Sequence, residues 1–250
     1  MKVTLQLLLG FALLASVLIF DFPAAAFQKE KKPWTEWSQK EADKMLNDSP
    51  WAQLQKDTDL SEQFFRPTSD GRTSGRAPNS GQRLEEGATN QATNVTYGVR
   101  FFSARPVRQA FMRVIQLQQK ITDPAVLERM KNFAEVPSAD SIIIAVTVAG
   151  SDKRSLGSVM QVINSAATGT LKNTTYLERN DGKRLFLQEY VPPGRDGFGA
   201  RFIFPRAEGD QPFLNTDSGE VRFVSDFGSS IKLNRRFKIS DMMLDGKLEY

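Results

Sequence analysis

The chain has 250 residues, 40% of them hydrophobic, and a formal net charge of +4 from 33 basic and 29 acidic residues. It contains neither cysteine nor histidine. These absences exclude disulfides and thiol chemistry, histidine-based triads and general bases, and the usual zinc sites. Carboxylate chemistry, serine–lysine chemistry and hard-cation binding remain open. The mild positive charge permits attraction to anionic surfaces without demanding it.

The N-terminus has the three parts of a secretory signal peptide. Lys2 supplies a positive charge, residues 5–20 are almost wholly apolar, and small residues at 24–26 form a cleavage site after Ala26. The apolar run of about 16 residues is shorter than the roughly 20 that span a bilayer. The sequence therefore predicts a cleaved, periplasmic or secreted protein without an integral membrane span. An uncleaved membrane anchor is the alternative.

The mature chain is predicted to have three parts. Residues 27–56 form a tryptophan-rich helical arm, in which Ser38 and Glu41 have the spacing of a capping box at the start of a helix. Residues 57–94 bury too little apolar area to offset the entropy of ordering, which predicts a flexible, disordered segment. This segment is either a loop within one domain or a linker after the arm. Residues 95–250 form the globular domain.

The globular part begins with helices and continues with strands. Apolar and polar residues alternate over 95–101, which predicts a half-buried strand. Amphipathic helices are predicted to begin at Pro106 and at Pro124, the second of them capped by Asp123. The apolar run 142–148 predicts a buried central strand. The elements predicted after these are a helix at 156–167, strands at 184–191, 200–204, 220–227 and 230–239, and a final hairpin turning at Asp245-Gly246. This order predicts an α+β fold with two to three helices packed on one face of a mostly antiparallel sheet.

Three blocks of the mature chain carry a resemblance to known sequences. They are Pro33-Trp34-Thr35-Glu36-Trp37 with Ser49-Pro50-Trp51-Ala52, residues 99–110, and Phe237-Lys238-Ile239 with Met242 and Asp245-Gly246-Lys247-Leu248. In these blocks the chain resembles a group of exported bacterial proteins that is frequent in Acidobacteria and has a WTxW…SPW block near its N-terminus. The resemblance implies a bacterial envelope protein, and it carries over no activity and no catalytic residue.

The N-terminal tryptophans are candidates for binding. Trp34 and Trp37 lie three residues apart, so that both rings can share a face and anchor a partner or stack on a sugar. Large aromatic residues also dominate protein cores. The alternative is therefore that the two rings dock this segment onto its own domain.

Basic residues form candidate binding sites at two places. Lys232, Arg236 and Lys238 alternate with apolar residues on the last long strand, so they point together away from the core and can meet an anionic envelope polymer. Such a row is also typical of the solvent-facing side of an antiparallel sheet or of a protected edge. Arg105 and Arg108 flank the predicted start of a helix, where the helix dipole favours anions.

The catalytic and metal-binding patterns are weaker. Glu189 is more typical of a solvent-facing strand residue than of a catalytic acid. Ser229-Ser230-Ile231-Lys232 matches Ser-x-x-Lys but lies on a predicted strand instead of a helix start. Residues 215–220 resemble part of a calcium loop but are more typical of a turn. The sequence therefore assigns no catalytic residue, metal site or cofactor.

The leading hypothesis is a non-catalytic binding or assembly module of the cell envelope. Its expected partner is a protein or an anionic polymer, and nucleic acid is not expected because the basic residues are not concentrated strongly enough. The alternative is a carboxylate-dependent hydrolase acting on an envelope glycan. That alternative requires two carboxyl groups in one cleft, one of them with a raised pKa.

Cleavage after Ala26 is open to a direct test. When the protein is expressed with its own N-terminus in a Gram-negative host, we expect it in the periplasm or the medium with Phe27 as its first residue, because small residues precede the cleavage point. Intact-mass spectrometry of the recovered protein identifies the N-terminus. A chain that retains residues 1–26 and sediments with the membrane would contradict cleavage and favour the anchor.

Overall fold

The structure is a computed structural model that describes residues 32–59, 93–137, 140–150, 153–228 and 231–250. The predicted signal peptide 1–26 and most of the predicted flexible segment 57–94 lie outside these residues. In the part of the chain that the structure describes, no helix is both long enough and apolar enough to cross a membrane.

Local capping signals define where the helices begin. The five α-helices of the described residues are α1 (Gln39–Asn47), α2 (Arg105–Gln118), α3 (Pro124–Glu135), α4 (Lys153–Ser165) and α5 (Thr168–Leu171). The predicted capping box of α1 is confirmed: the Ser38 hydroxyl accepts from the Glu41 backbone N–H, and the Glu41 carboxylate accepts from the Ser38 backbone N–H. The predicted cap Asp123 is also confirmed, because its carboxylate accepts from the first backbone N–H groups of α3.

The longer strands form two antiparallel sheets. The order in the first sheet is β1 (Ala52–Asp59), β2 (Thr93–Phe101), β3 (Ser141–Gly150), β7 (Ala200–Pro205), β6 (Glu189–Val191). The order in the second sheet is β11 (Lys232–Lys238), β10 (Glu220–Asp226), β4 (Thr175–Arg179), β5 (Arg184–Phe186). Two small hairpins are β8 (Ala207–Glu208) with β9 (Gln211–Pro212), and β12 (Met243–Leu244) with β13 (Lys247–Leu248). The predicted α+β class is confirmed, although the strands divide between two sheets.

The strand predicted at 184–191 consists of two strands in different sheets. β5 pairs with β4, whereas β6 pairs with β7. Between them, the Leu187 backbone N–H donates to the Thr175 carbonyl of the second sheet, and the Gln188 backbone N–H donates to the Ile203 carbonyl of the first. The chain therefore crosses from one sheet to the other within two residues, and the apolar alternation of the sequence does not reveal this crossing.

An aromatic layer fills the space between the two sheets. Phe101 on β2 meets Phe237 on β11 edge to face, with ring centroids 4.9 Å apart, and Phe202 on β7 meets Phe223 on β10 at 5.2 Å. All four rings are fully buried. Because side chains alternate along a strand, their burial directs the neighbouring residues of each strand to the outer faces of the two sheets.

Helix α1 packs on β1 and β2 at the outer face of the first sheet, and α2 packs on α1. Arg100 lies buried on this face, with its guanidinium 5.6 Å from the centre of the Phe111 ring of α2. Its guanidinium donates to the Leu46 carbonyl, to Oδ1 of Asn47 and to Oγ1 of Thr147. Burial lowers the pKa of Arg100 to about 10. Gly98 precedes Arg100 on the same face and leaves room for it, since a Cβ at this glycine would lie 2.5 Å from the guanidinium.

The N-terminal segment belongs to the same compact unit, Pro33–Tyr250, as the rest of the described chain. β1 pairs with β2 along its whole length and continues past the predicted boundary at residue 56. Trp51 is buried, and its indole N–H donates to the Glu249 carbonyl at 2.8 Å. The described part of the predicted arm therefore packs on the domain, a question that the sequence left open.

Gly98 and Arg100 are predicted to be coupled energetically. Gly98→Ala should lower the free energy of unfolding by about 2–3 kcal/mol, because the added methyl group displaces a buried guanidinium from its hydrogen bonds. In an Arg100→Met background the same change should cost less than about 1 kcal/mol, since the obstructing group is gone. Urea denaturation of the four proteins measures the coupling. An equal loss of unfolding free energy in both backgrounds would show that Gly98 is not required to make room for Arg100.

Candidate functional site

The outer face of the second sheet carries the predicted basic row. Its twelve outward side chains, all exposed or half-buried, are Tyr176, Glu178, Arg184, Phe186, Glu220, Arg222, Val224, Asp226, Lys232, Asn234, Arg236 and Lys238. No described helix packs on this face. The predicted alternation of the last long strand is confirmed, because its basic residues point to solvent while the apolar residues between them are buried.

Strand register arranges these side chains in rows that cross the sheet. The first row, here called the guanidinium row, consists of Arg236, Arg222, Glu178 and Arg184. The second row, here called the aromatic row, consists of Asn234, Val224, Tyr176 and Phe186. The backbone positions of the two rows are about 7 Å apart, and neighbours within a row are about 5 Å apart.

Glu178 organises two arginines of the guanidinium row. Its Oε1 accepts from Nε of Arg184 at 2.7 Å, and its Oε2 accepts from the guanidinium of Arg222. These two hydrogen bonds hold the pKa of Glu178 below its ordinary value. The carboxylate is therefore ionised at neutral pH and keeps both guanidinium groups in fixed positions on the surface.

Arg236 forms the unpartnered end of the guanidinium row. Within the described ranges, its guanidinium has neither an ion pair nor a hydrogen bond. Its backbone is nevertheless fixed, because the Gln53 side chain of β1 donates to the Arg236 carbonyl at 2.6 Å. Gln55 adds two bonds to β11, donating to the Lys232 carbonyl and accepting from the Asn234 N–H. β1 therefore positions Arg236 without using its guanidinium.

The aromatic row presents one open ring at the edge of the sheet. Phe186 is 47% exposed, and its ring centroid lies 5.7 Å from that of Tyr176. The Arg184 guanidinium lies over the Tyr176 ring at 4.5 Å, a cation–π contact. Since Arg184 is also bonded to Glu178, the two rows are joined at this end of the face.

A cleft of about 380 Å³ lies beside the guanidinium row and contains two carboxyl groups, those of Glu178 and Glu220, together with Arg222 and Arg236. The hydrolase alternative requires a carboxyl group whose pKa is raised, so that it can protonate a leaving group. The pKa of Glu178 is lowered by Arg184 and Arg222. Glu178 therefore does not supply the acid that this alternative requires.

The two candidate tryptophans lie against their own domain. The indole N–H of Trp34 donates to the Glu135 carboxylate of α3 at 3.0 Å, and the Trp37 carbonyl accepts from Nε of Arg113 in α2 at 2.6 Å. Both rings are half-buried against the core. This placement matches the alternative in which the tryptophans dock their segment onto the protein itself.

Arg105 and Arg108 are both engaged within the fold. Arg108 is buried and donates to the carbonyls of Ser103 and Val136, and burial lowers its pKa. Arg105 forms an ion pair with Glu249 at 3.4 Å, and the same carboxylate accepts from the Arg105 backbone N–H at the start of α2. A carboxylate of the protein itself therefore occupies the place where the sequence suggested an external anion.

The weaker sequence patterns have ordinary structural settings. Oδ1 of Asn215 accepts from the Asp217 N–H and from the Ser218 hydroxyl, so residues 215–218 form the expected turn, and β10 begins at Glu220. Glu189 is exposed on β6. Residues 229–230 of the Ser-x-x-Lys match lie outside the described residues.

An apolar hollow of about 400 Å³ lies beside the C-terminal end of α3, on the helical side of the molecule. Phe102, Phe133 and Val136 contribute to its lining, and Phe133 is 41% exposed. The Phe133 ring stacks on Phe198 with centroids 5.8 Å apart. Phe133 is therefore an exposed phenylalanine that lies on α3 and not on the second sheet.

Sequence reasoning identified one strand of the outer face and missed its partners. The position of Arg222 could have been predicted, because counting residues along both strands from the turn between β10 and β11 pairs Arg222 with Arg236. Glu178 and Arg184 lie on strands of five and three residues, which are too short for alternation to give a clear signal. The sequence predicts one strand over 184–191, whereas Phe186 lies on β5, the edge strand of the second sheet.

Comparisons of the chain with known protein families, with curated proteins and with solved structures find no match. The geometry of the outer face is therefore the basis for a functional proposal.

Arg108 and Arg236 are predicted to differ in their contribution to stability. Arg108→Ala should lower the free energy of unfolding by about 2–4 kcal/mol, because it leaves buried carbonyl groups without donors. Arg236→Ala should change it by less than about 0.5 kcal/mol, because the side chain is exposed and has no partner in the described residues. Urea denaturation measures both. A large loss for Arg236→Ala would reveal a structural role for that side chain.

Proposed function

We propose that this protein is a non-catalytic binding module of the bacterial cell envelope that binds an anionic polymer on the outer face of its second sheet. The observation that carries the proposal is the exposed guanidinium of Arg236, which has no partner among the described residues and stands beside Arg222 on a face without a covering helix. Arginine forms charge-assisted, often bidentate hydrogen bonds with carboxylate and phosphate groups.

The charge of the face supports an anionic ligand. Its outward side chains comprise five basic and three acidic residues, a net charge of +2. Arg236 and Arg222 face each other on adjacent strands, about 5 Å apart at the backbone. The like charges of these neighbouring side chains repel each other, and an anionic group bound between them offsets that repulsion.

The location expected from the sequence fits this ligand. The predicted signal peptide directs the protein to the periplasm or the cell exterior, where anionic envelope polymers are within reach. The sequence suggests a protein partner at Trp34 and Trp37, but both rings are half-buried against the core of the protein itself. Polymer binding is therefore the better supported form of the binding hypothesis.

Binding of an acidic polymer tests the proposal. Thermophoresis with fluorescently labelled polygalacturonate should show binding at low salt that weakens as salt is added, because exposed charges are screened. Arg236→Ala should raise the dissociation constant about five- to tenfold, since it removes a charge-assisted hydrogen bond.

Arg195→Ala is the matched control for this measurement. Arg195 is another exposed arginine without a partner in the described part of the chain, and it lies in the loop between β6 and β7. Its removal should leave the dissociation constant unchanged. Absence of binding by the unmodified protein, or an equal loss in both variants, would refute binding at this face.

A further inference from the structure

We infer that the bound polymer is an acidic polysaccharide, whose sugar rings pack on the aromatic row while its carboxylate groups bind the guanidinium row. This inference rests on the proposed function and names the class of polymer.

The two rows offer two kinds of contact side by side. They run in parallel across the strands, about 7 Å apart at the backbone, with charge in one row and mostly apolar surface in the other. A ligand lying along them meets cations on one side and an aromatic platform on the other. An acidic sugar is complementary to the two rows, because its carboxylate projects from the edge of a ring whose faces carry C–H groups.

Phe186 is the ring that this ligand would contact. It is 47% exposed at the edge of the sheet, whereas the neighbouring Tyr176 ring is covered by the Arg184 guanidinium. The face of an aromatic ring carries partial negative charge and attracts the positive C–H groups of a sugar, and close packing adds dispersion energy. The exposed face of Phe186 can therefore pack against the uncharged face of a sugar ring.

The acidic residues of the face argue against densely charged polymers. Glu178, Glu220 and Asp226 are interspersed with the basic residues. Polyphosphate carries a charge on every phosphate of its backbone, so it would bring anionic groups against these carboxylates. A polysaccharide separates its carboxylates by uncharged ring atoms, and can therefore place them at Arg236 and Arg222 with less repulsion.

The size of the face requires a polymer. Arg236 is on β11 and Phe186 is on β5, at opposite edges of the four-stranded sheet. Three strand spacings separate them, about 14 Å. A single sugar cannot contact both, whereas a chain of several sugars gains from the two contacts at once.

The test compares three polyanions of different structure. Polygalacturonate has one carboxylate on each sugar ring, polyacrylate has carboxylates without rings, and oligodeoxythymidine has one phosphate and one aromatic base on each unit. Phe186→Ala should weaken polygalacturonate binding about fivefold and leave polyacrylate binding unchanged, and Phe186→Trp should preserve both. Phe133→Ala is the matched control, because Phe133 is similarly exposed at 41% and lies on α3. Thermal melts establish that each variant is folded.

The outcomes separate this inference from the proposed function. Tighter binding of polygalacturonate than of polyacrylate at equal carboxylate concentration, with a loss specific to Phe186→Ala, supports the inference. Equal binding of both polymers with no effect of Phe186→Ala overturns it and leaves polyanion binding intact. Tighter binding of oligodeoxythymidine also overturns it. Failure of the unmodified protein to bind any of the three refutes the proposed function itself.

Discussion

Packing of the aromatic layer between the two sheets is the interaction on which the rest of the structure depends. Phe101 against Phe237 and Phe202 against Phe223 bury one side of each sheet. Because strand side chains alternate, burial of Phe223 directs Arg222 outward on the same strand. The hydrophobic core therefore determines the composition of the surface, and the basic and aromatic rows are a geometric consequence of it.

Hydrogen bonds outside the core then refine the positions within those rows. Glutamine side chains of β1 bind the backbone of β11, which connects the edge of the first sheet to the second. Glu178 fixes Arg184 and Arg222, and Arg236 is held only through its backbone. Arg184 and Arg222 are thus held in position, while the guanidinium of Arg236 makes no hydrogen bond in the described part of the fold. A surface that is ordered before a ligand binds loses less conformational entropy on binding.

Capping residues and apolar periodicity in the sequence predicted the helices well. The arrangement of the strands was harder to predict, because it depends on pairing between distant parts of the chain. Ser38 and Asp123 marked helix starts correctly because a cap acts within three residues. The division into two sheets was not visible, since it depends on the crossing at Leu187 and on contacts between distant strands. The basic row was predicted in its orientation, but its partners Glu178 and Arg184 follow from pairings between short strands that alternation does not specify.

The most direct test of the account is a titration of the isotope-labelled protein with polygalacturonate, followed by heteronuclear NMR. The account predicts that the largest backbone amide shifts occur at outward positions of the second sheet, above all at Phe186, Arg222 and Arg236, and grow with polymer concentration to saturation. Shifts concentrated around Trp34 and the α2–α3 pair, or an unchanged spectrum, would contradict the assignment of the outer sheet face as the binding surface.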